Sequence, residues 1–201
     1  MEQRIIVKEF PQSEVDAKEA LRYAGVRQAD MASIMLLNEA CDKLLPHVKG
    51  LAVYRVLDYA SEENVCKIGE STVTSAKLAE AMRGAEKVII FAATVGLEVD
   101  RIIARQEITS AALAHMTDSL ASERIESLCD ALSAYLENEL SDEYVLTRRF
   151  SAGYGDLPIE FQREIFAMLT PEKYIGLTLG ESLLMSPSKS VSAIIGLKRK
   201  L

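Results

Sequence analysis

The segment from Arg149 to Asp156 combines residue types that can bind a small zwitterion. Arg149 carries a planar guanidinium, which can hold a carboxylate through two parallel hydrogen bonds. Gly153 and Gly155 allow the main chain to approach a ligand closely, and the ring face of Tyr154 favours a nearby cation such as a sulfonium. Composition alone leaves a second interpretation open, in which the segment is a structural loop that carries a surface arginine.

Familiar catalytic motifs are missing from the rest of the sequence. There is no Gly-x-Ser-x-Gly elbow, no Walker phosphate loop and no Gly-x-Gly-x-x-Gly after a strand. Residues 91–96 run from a predicted strand into a helix whose N-terminus can hold an anion, but with the single glycine Gly96 an ordinary turn is the alternative. His47 and His115 lie outside zinc-binding spacings, which argues against a protein-borne metal site.

Composition narrows the class of partner. The 201 residues carry a net charge of -7, from 30 acidic and 23 basic residues, and the one basic block is the short run 198–200, which argues against nucleic acid as the main partner. No apolar run approaches the roughly 20 residues of a membrane helix, and residues 1–5 lack the apolar core of a signal peptide. Cys41, Cys66 and Cys129 suit separately packed thiols. We therefore predict a cytoplasmic protein without a membrane partner.

Hydrophobic periodicity predicts the helices and strands that position the loop after Arg149, which we call the arginine loop (residues 149–157). Residues 88–93 form an uninterrupted apolar run, which is typical of a central strand covered on both faces. Before this run, we predict helices over 13–23, capped by Ser13, and over 29–45 and 75–82, with strands at 51–59 and 65–68 paired across the turn 61–64. After it, we predict helices over 97–105 and 110–140.

The long helical periodicity ends at residue 140, and shorter elements follow. We predict an extended stretch over 144–149, the loop 151–156, and a helix over 159–169 with Asp156 as its cap. Residues 183–185 and 191–197 flank a turn-rich segment and predict a hairpin-like connection.

Helices followed by segregated strands favour an α+β fold. Because the sequence has no internal repeat and no long linker, we predict a single unit over 1–201. Its first part, 1–110, contains helices and strands, and its second part, 111–201, contains the long helix, the arginine loop and the C-terminal strands.

Two ordered motifs carry a resemblance to a known family. Residues 149–154 are similar to the Arg-x-x-x-Gly-Tyr loop of the activation domain of cobalamin-dependent methionine synthase, which binds S-adenosylmethionine. Residues 181–192 resemble that domain's Glu-Ser-x-x-Met-x-Pro-x-x-Ser-Val-Ser stretch. The N-terminal half, including 21–23 and 91–96, looks like small stand-alone relatives of this domain. The resemblance implies an activation-domain-like fold in which long helices pack on a mostly antiparallel sheet.

The resemblance also implies roles for particular residues. Arg149 would hold the carboxylate of S-adenosylmethionine, and the loop around the ligand would consist of Ser151, Ala152, Gly153 and Tyr154. The Ser-Val-Ser stretch is better interpreted as packing behind the site than as catalytic.

Two acids have both a functional and an ordinary interpretation. Glu143 occupies a place where the family has an acid, and its role would be to contact the ligand's amino group; a solvated strand residue is the alternative. Asp130 stands where the family's long helix has a glutamate near the ligand. A solvated acidic face shared with Glu126 and Glu137 is its alternative.

Two departures from the family pattern affect the expected site. The family's loop has proline at the positions of Ala152 and Gly155. The absence of these prolines makes the loop of this sequence less rigid. The family's domain continues beyond the Ser-Val-Ser stretch with tyrosine-bearing residues that contact the ligand, whereas this sequence stops at Leu201. We therefore expect either that part of the site is supplied differently or that affinity is lower.

The implied role is that of an accessory component. Since the sequence lacks Asp-x-His-x-x-Gly, in which histidine ligates cobalt, the cobalamin would be on a partner chain, a methionine synthase or a related corrinoid protein. A flavodoxin-like or ferredoxin-like donor would supply one electron, and S-adenosylmethionine the methyl group. The alternatives are an autonomous S-adenosylmethionine-dependent methyltransferase and a non-catalytic interaction subunit.

Overall fold

Nine strands and seven α-helices form along residues 4–200, the part of the chain that the computed structural model describes. The strands are β1 (Ile6–Phe10), β2 (Gly50–Glu62), β3 (Val65–Ile68), β4 (Ser71–Thr74), β5 (Lys87–Thr94), β6 (Tyr144–Leu146), β7 (Thr178–Leu179), β8 (Met185–Ser186) and β9 (Ser190–Arg199). The helices are α1 (Ala17–Tyr23), α2 (Met31–Leu44), α3 (Ala76–Ala81), α4 (Leu97–Thr109), α5 (Ala111–Leu140), α6 (Gln162–Leu169) and α7 (Pro171–Ile175). Short 3₁₀ turns occupy Leu45–His47 and Ile159–Phe161. The prediction that residues 1–5 do not form a signal peptide concerns in part residues 1–3, which lie outside the described residues.

The main sheet is antiparallel and runs in the order β4-β3-β2-β5-β9-β6, with β1 also paired to β2. The first part of β2 pairs with β5, from Leu51 opposite Thr94 to Asp58 opposite Lys87, and its last four residues pair with β3. On its other side β5 pairs with β9. The predicted central position of residues 88–93 is therefore confirmed, and so is the α+β fold class.

The sheet separates two apolar cores, because side chains alternate between its faces. On β5, Ile89 and Phe91 belong to the core formed with α1, α2, α4 and α5, whereas Val88 and Ile90 belong to the core formed with α3, α6 and α7. All four side chains are fully buried. The long helix α5 packs along α1, α2 and α4 and also contacts the main sheet, and its residues Glu126 and Asp130 reach Arg149.

Two local predictions are wrong. The cap of α1 is Asp16, whose carboxylate accepts from the Glu19 N–H, while the Ser13 carbonyl accepts from Arg124. The predicted hairpin between 183–185 and 191–197 does not form: β8 pairs with β7 in a separate two-stranded sheet. The second segment lies in β9, whose apolar residues are buried on both faces, and it therefore takes a place inside the main sheet between β5 and β6.

No helix among residues 4–200 is both long and apolar enough to cross a membrane.

Candidate functional site

The arginine loop, residues 149–157, begins where the chain leaves β6. The backbone remains attached to β9 as it goes: the Thr147 N–H donates to the Gly196 carbonyl at 2.9 Å. Phe150 and Ile194 then exchange two backbone hydrogen bonds, each of 2.9 Å. Arg149 lies between these attachment points, so its main chain is fixed on both sides.

The side chain of Arg149 reaches α5. Its Nη2 lies 2.7 Å from Asp130 Oδ1 and 3.3 Å from Glu126 Oε2. The two acids are four residues apart on one helix, a spacing that places their side chains side by side. One guanidinium and two carboxylates give the cluster a formal charge of −1.

A cavity of about 350 Å³ opens beside this cluster. It is lined by Glu126, Arg149, Ser151, Tyr154 and Val191. Its volume is within the roughly 300–1,000 Å³ typical of small-molecule sites. Larger cavities, of about 660 and 860 Å³, lie along β2, β3 and β4. We favour the smaller one because a guanidinium, a carboxylate and an aromatic ring line it, and a second carboxylate, that of Asp130, bonds to the same guanidinium.

Tyr154 forms the exposed wall of this cavity. Its side chain is 70% exposed, and its ring makes an edge contact with Phe150, with centroids 6.3 Å apart. The Tyr154 N–H donates to the Ser151 carbonyl at 3.2 Å, so the two cavity-lining residues are joined by a turn. An exposed ring held in this way is suited to a cation.

Ala152 and Gly153 hold the loop in place and do not line the cavity. Ala152 is buried in the core on the α6 side of the sheet. The Gly153 N–H donates to the Leu157 carbonyl at 2.9 Å, and its φ of +87° is a conformation that favours glycine. A Cβ at this position would lie 3.0 Å from Ile159 Cδ1. The tight turn therefore requires glycine on two counts.

Asp156 caps a different helix from the one predicted. The turn 159–161 and α6 have no side-chain cap hydrogen bond. The Asp156 carboxylate instead accepts from the Ser75 hydroxyl and from the N–H groups of Ala76 and Lys77, at the start of α3. These bonds, with that from Ser75 first, hold the pKa of Asp156 below its usual range.

Glu143 lies away from the cluster. Its carbonyl accepts from the N–H of Lys200, which directly follows β9 and is six residues from Ile194, where Phe150 is attached. At about 3.3 Å per residue, these two attachment points are about 20 Å apart. The structure thus brings Arg149, Ser151, Tyr154 and Asp130 together, and it does not bring Glu143 to them.

The thiol next to the cluster is suited to packing. Cys129 is fully buried beneath Asp130, and burial raises the pKa of its thiol to about 12. The thiolate that nucleophilic chemistry needs is therefore scarce at neutral pH.

Sequence reasoning missed two cavity residues. Glu126 precedes Asp130 by one helical turn, so the sequence places both acids on one face of the helix. This spacing fits a binding site and a solvated acidic face equally well. Val191 was assigned to packing; its neighbours in β9 are indeed buried, yet its own side chain is half-buried and lines the cavity. No local pattern distinguishes these two uses of a valine.

Comparison with known proteins places the chain in a family. The family model described as "Vitamin B12 dependent methionine synthase, activation domain" matches residues 75–200. A crystal structure of the MetH reactivation domain bound to AdoHcy is similar in fold, with a TM-score of 0.70 and 17% sequence identity over 96% of this chain and 78% of that one. No curated protein matches the chain.

Proposed function

This chain belongs to the family of vitamin B12-dependent methionine synthase activation domains, and from that premise we propose that it binds S-adenosylmethionine in the cavity beside Arg149. The observation that carries the proposal is the convergence of the Arg149 guanidinium, the Glu126 carboxylate and an exposed tyrosine ring on a cavity of about 350 Å³, with Asp130 bonded to the same guanidinium. The MetH reactivation domain of similar fold is bound to AdoHcy, S-adenosylhomocysteine, the demethylated form of the same ligand.

The three charged groups of the ligand each find a partner in this arrangement. Arg149 would hold the carboxylate, for which its planar donors are suited. Asp130 and Glu126 would accept hydrogen bonds from the ammonium group, and the ring of Tyr154 would face the sulfonium. Both acids are bonded to the guanidinium, so the three charged side chains form one cluster at the cavity.

Charge balance favours S-adenosylmethionine over its product. The cluster has a formal charge of −1, and S-adenosylmethionine has a single net positive charge, whereas S-adenosylhomocysteine is a neutral zwitterion. Opposite charges at close range in a partly desolvated cavity attract more strongly than in bulk water. The cavity would therefore retain the methyl donor and release the spent form.

We further propose that the chain presents this ligand to a cobalamin carried by a separate cytoplasmic protein, a methionine synthase or a related corrinoid protein. When bound, S-adenosylmethionine supplies the methyl group for reductive methylation of that cobalamin, with one electron from a flavodoxin-like or ferredoxin-like donor. The chain's own residues contribute binding and orientation. They need no general base, because the methyl acceptor has no proton to lose.

Calorimetric titration with S-adenosylmethionine tests the ligand. We expect the wild type to bind and Arg149→Ala to raise the Kd by about ten- to a hundredfold, the value of a charge-assisted hydrogen bond. The matched control is Arg148→Ala, which removes an exposed neighbouring guanidinium that lies outside the cavity lining. Equal losses in the two variants, or no heat with the wild type, would contradict the proposed site.

A second measurement tests the role. The protein is mixed with a cobalamin-loaded methionine synthase that lacks its own activation domain, a reductant and S-adenosylmethionine, and methylcobalamin is followed by its absorption spectrum. We expect the wild type, but not Arg149→Ala, to accelerate its formation. Binding without acceleration would favour the non-catalytic subunit, and methylation of an acceptor without cobalamin would favour the autonomous methyltransferase.

A further inference from the structure

We propose that Asp156 is a positioning residue, which orders the ligand-binding side of the arginine loop by attaching its far side to helix α3. The inference rests on the proposed function, because it concerns the loop that would surround S-adenosylmethionine. It assigns Asp156 no contact with the ligand itself, and Asp156 does not line the cavity.

The attachment uses both oxygens of the carboxylate. Oδ1 accepts from the Ser75 hydroxyl at 2.5 Å and from the Lys77 N–H at 3.1 Å, and Oδ2 accepts from the Ala76 N–H at 2.8 Å. The Ser75 hydroxyl in turn accepts from the Leu78 N–H at 3.0 Å. The first N–H groups of a helix have no partner within the helix, and Asp156 accepts hydrogen bonds from two of them in α3. It does so although it follows Ser75 by 81 residues.

The loop backbone also touches α3 directly. Gly155 adopts a φ of +58°, and a Cβ on it would lie 3.0 Å from both Cβ and Cγ of Lys77. On the other side of Asp156, Leu157 is buried in the core next to α6. Hydrogen bonds, close approach and burial therefore fix three consecutive residues, 155–157.

The fixed residues determine where the cavity residues lie. Leu157 makes two backbone hydrogen bonds within the loop: its carbonyl accepts from the Gly153 N–H, and its N–H donates to the Tyr154 carbonyl at 3.0 Å. Tyr154 is bonded in turn to Ser151, which lines the cavity. A short chain of backbone bonds thus connects the residues anchored by Asp156 to the wall formed by Ser151 and Tyr154. A loop ordered before binding gives tighter binding than one that must be ordered by the ligand.

The test compares two capping aspartates. Asp156→Ala should raise the Kd for S-adenosylmethionine roughly tenfold, because the ligand must then order the loop. Asp156→Asn should restore part of the affinity, since its side-chain oxygen can keep the bonds from Ser75 and Lys77, whereas its amide group cannot accept from the Ala76 N–H. The control is Asp30→Ala, which removes the aspartate that caps α2 within its own helix, outside the arginine loop. We expect Asp30→Ala to lower the melting temperature without changing the Kd.

A wild-type Kd in Asp156→Ala, with only a lower melting temperature, would overturn the positioning role and leave the proposed function intact. If the wild type does not bind, the proposed function fails, and amide hydrogen exchange in the ligand-free protein then decides the role of Asp156. We expect faster exchange at the Gly153 and Leu157 amides in Asp156→Ala, beyond any change in Asp30→Ala. Unchanged exchange there would overturn the attachment, whether measured in Asp156→Ala or, should that variant not fold, in Ser75→Ala.

Discussion

Arg124 and Arg149 both pair with carboxylates of α5, yet one is enclosed by the protein and the other opens onto a cavity. The Arg124 side chain is 2% exposed, its partner Glu123 is 3% exposed, and the guanidinium also donates to the carbonyls of Ser13 and Glu14. Arg149 is 25% exposed, and its partners Asp130 and Glu126 are 73% and 45% exposed. A guanidinium whose donors end on backbone carbonyls fastens one segment to another. A guanidinium whose ion pairs are with exposed acids can exchange those acids for a ligand.

The largest expected difference concerns stability. Arg124→Ala leaves the Glu123 carboxylate buried beside two carbonyls that have lost their donors, and it should lower the free energy of unfolding by about 3–5 kcal/mol. Urea denaturation measures this. A loss below about 1 kcal/mol, the range of exposed pairs, would show that the two arginines do not differ in the way described.

An intermediate effect concerns ligand selectivity. Asp130→Asn removes one of the two negative charges at Arg149, and it should reduce the preference for S-adenosylmethionine over S-adenosylhomocysteine by about threefold to tenfold, the size expected for a partly screened charge pair. Paired calorimetric titrations with both ligands measure it. The control is Glu137→Gln, which changes an exposed acid two turns along the same face of α5. The same loss of preference in this control would indicate a general field effect and not the pair at Arg149.

The smallest effect is the stability of the Arg149 variant. Because its ion pairs are exposed to solvent, Arg149→Ala should change the free energy of unfolding by less than about 1 kcal/mol. The same denaturation series measures it against Arg124→Ala. A loss as large as that of Arg124→Ala would make Arg149 a structural residue, and any loss of ligand binding would then have a trivial cause.

The sequence predicted those parts of the fold that depend on local pattern. The apolar run 88–93 identified the central strand, and the spacing of apolar residues identified α5, because burial imposes a periodicity on each. Apart from the cap of α1, which moves from Ser13 to Asp16, the wrong predictions concern pairings between distant segments. Whether β9 pairs with its neighbour along the chain or with β5, and whether Asp156 caps the next helix or one 81 residues earlier, depends on how the segments assemble.

The site was predicted to a similar extent and for a similar reason. The arginine loop stood out by composition and by resemblance, and Asp130 by resemblance. The acid pair at Arg149 needed the three-dimensional placement of α5 against the end of β6. Arg124 pairs with the acid next to it in sequence, whereas Arg149 meets acids 19 and 23 residues away, and no pattern in the sequence indicates that the first pair is buried and the second exposed.

The attachment of the arginine loop to α3 also limits how this site can be transplanted. A graft of residues 149–157 onto another protein would carry the guanidinium, the tyrosine and the tight glycine turns. It would not include the Ser75 hydroxyl and the N–H groups of Ala76 and Lys77, which donate hydrogen bonds to the Asp156 carboxylate. The smallest portable unit therefore needs four separate pieces of chain: residues 149–157, residues 75–77, the turn of α5 that bears Glu126 and Asp130, and the part of β9 that bears Val191.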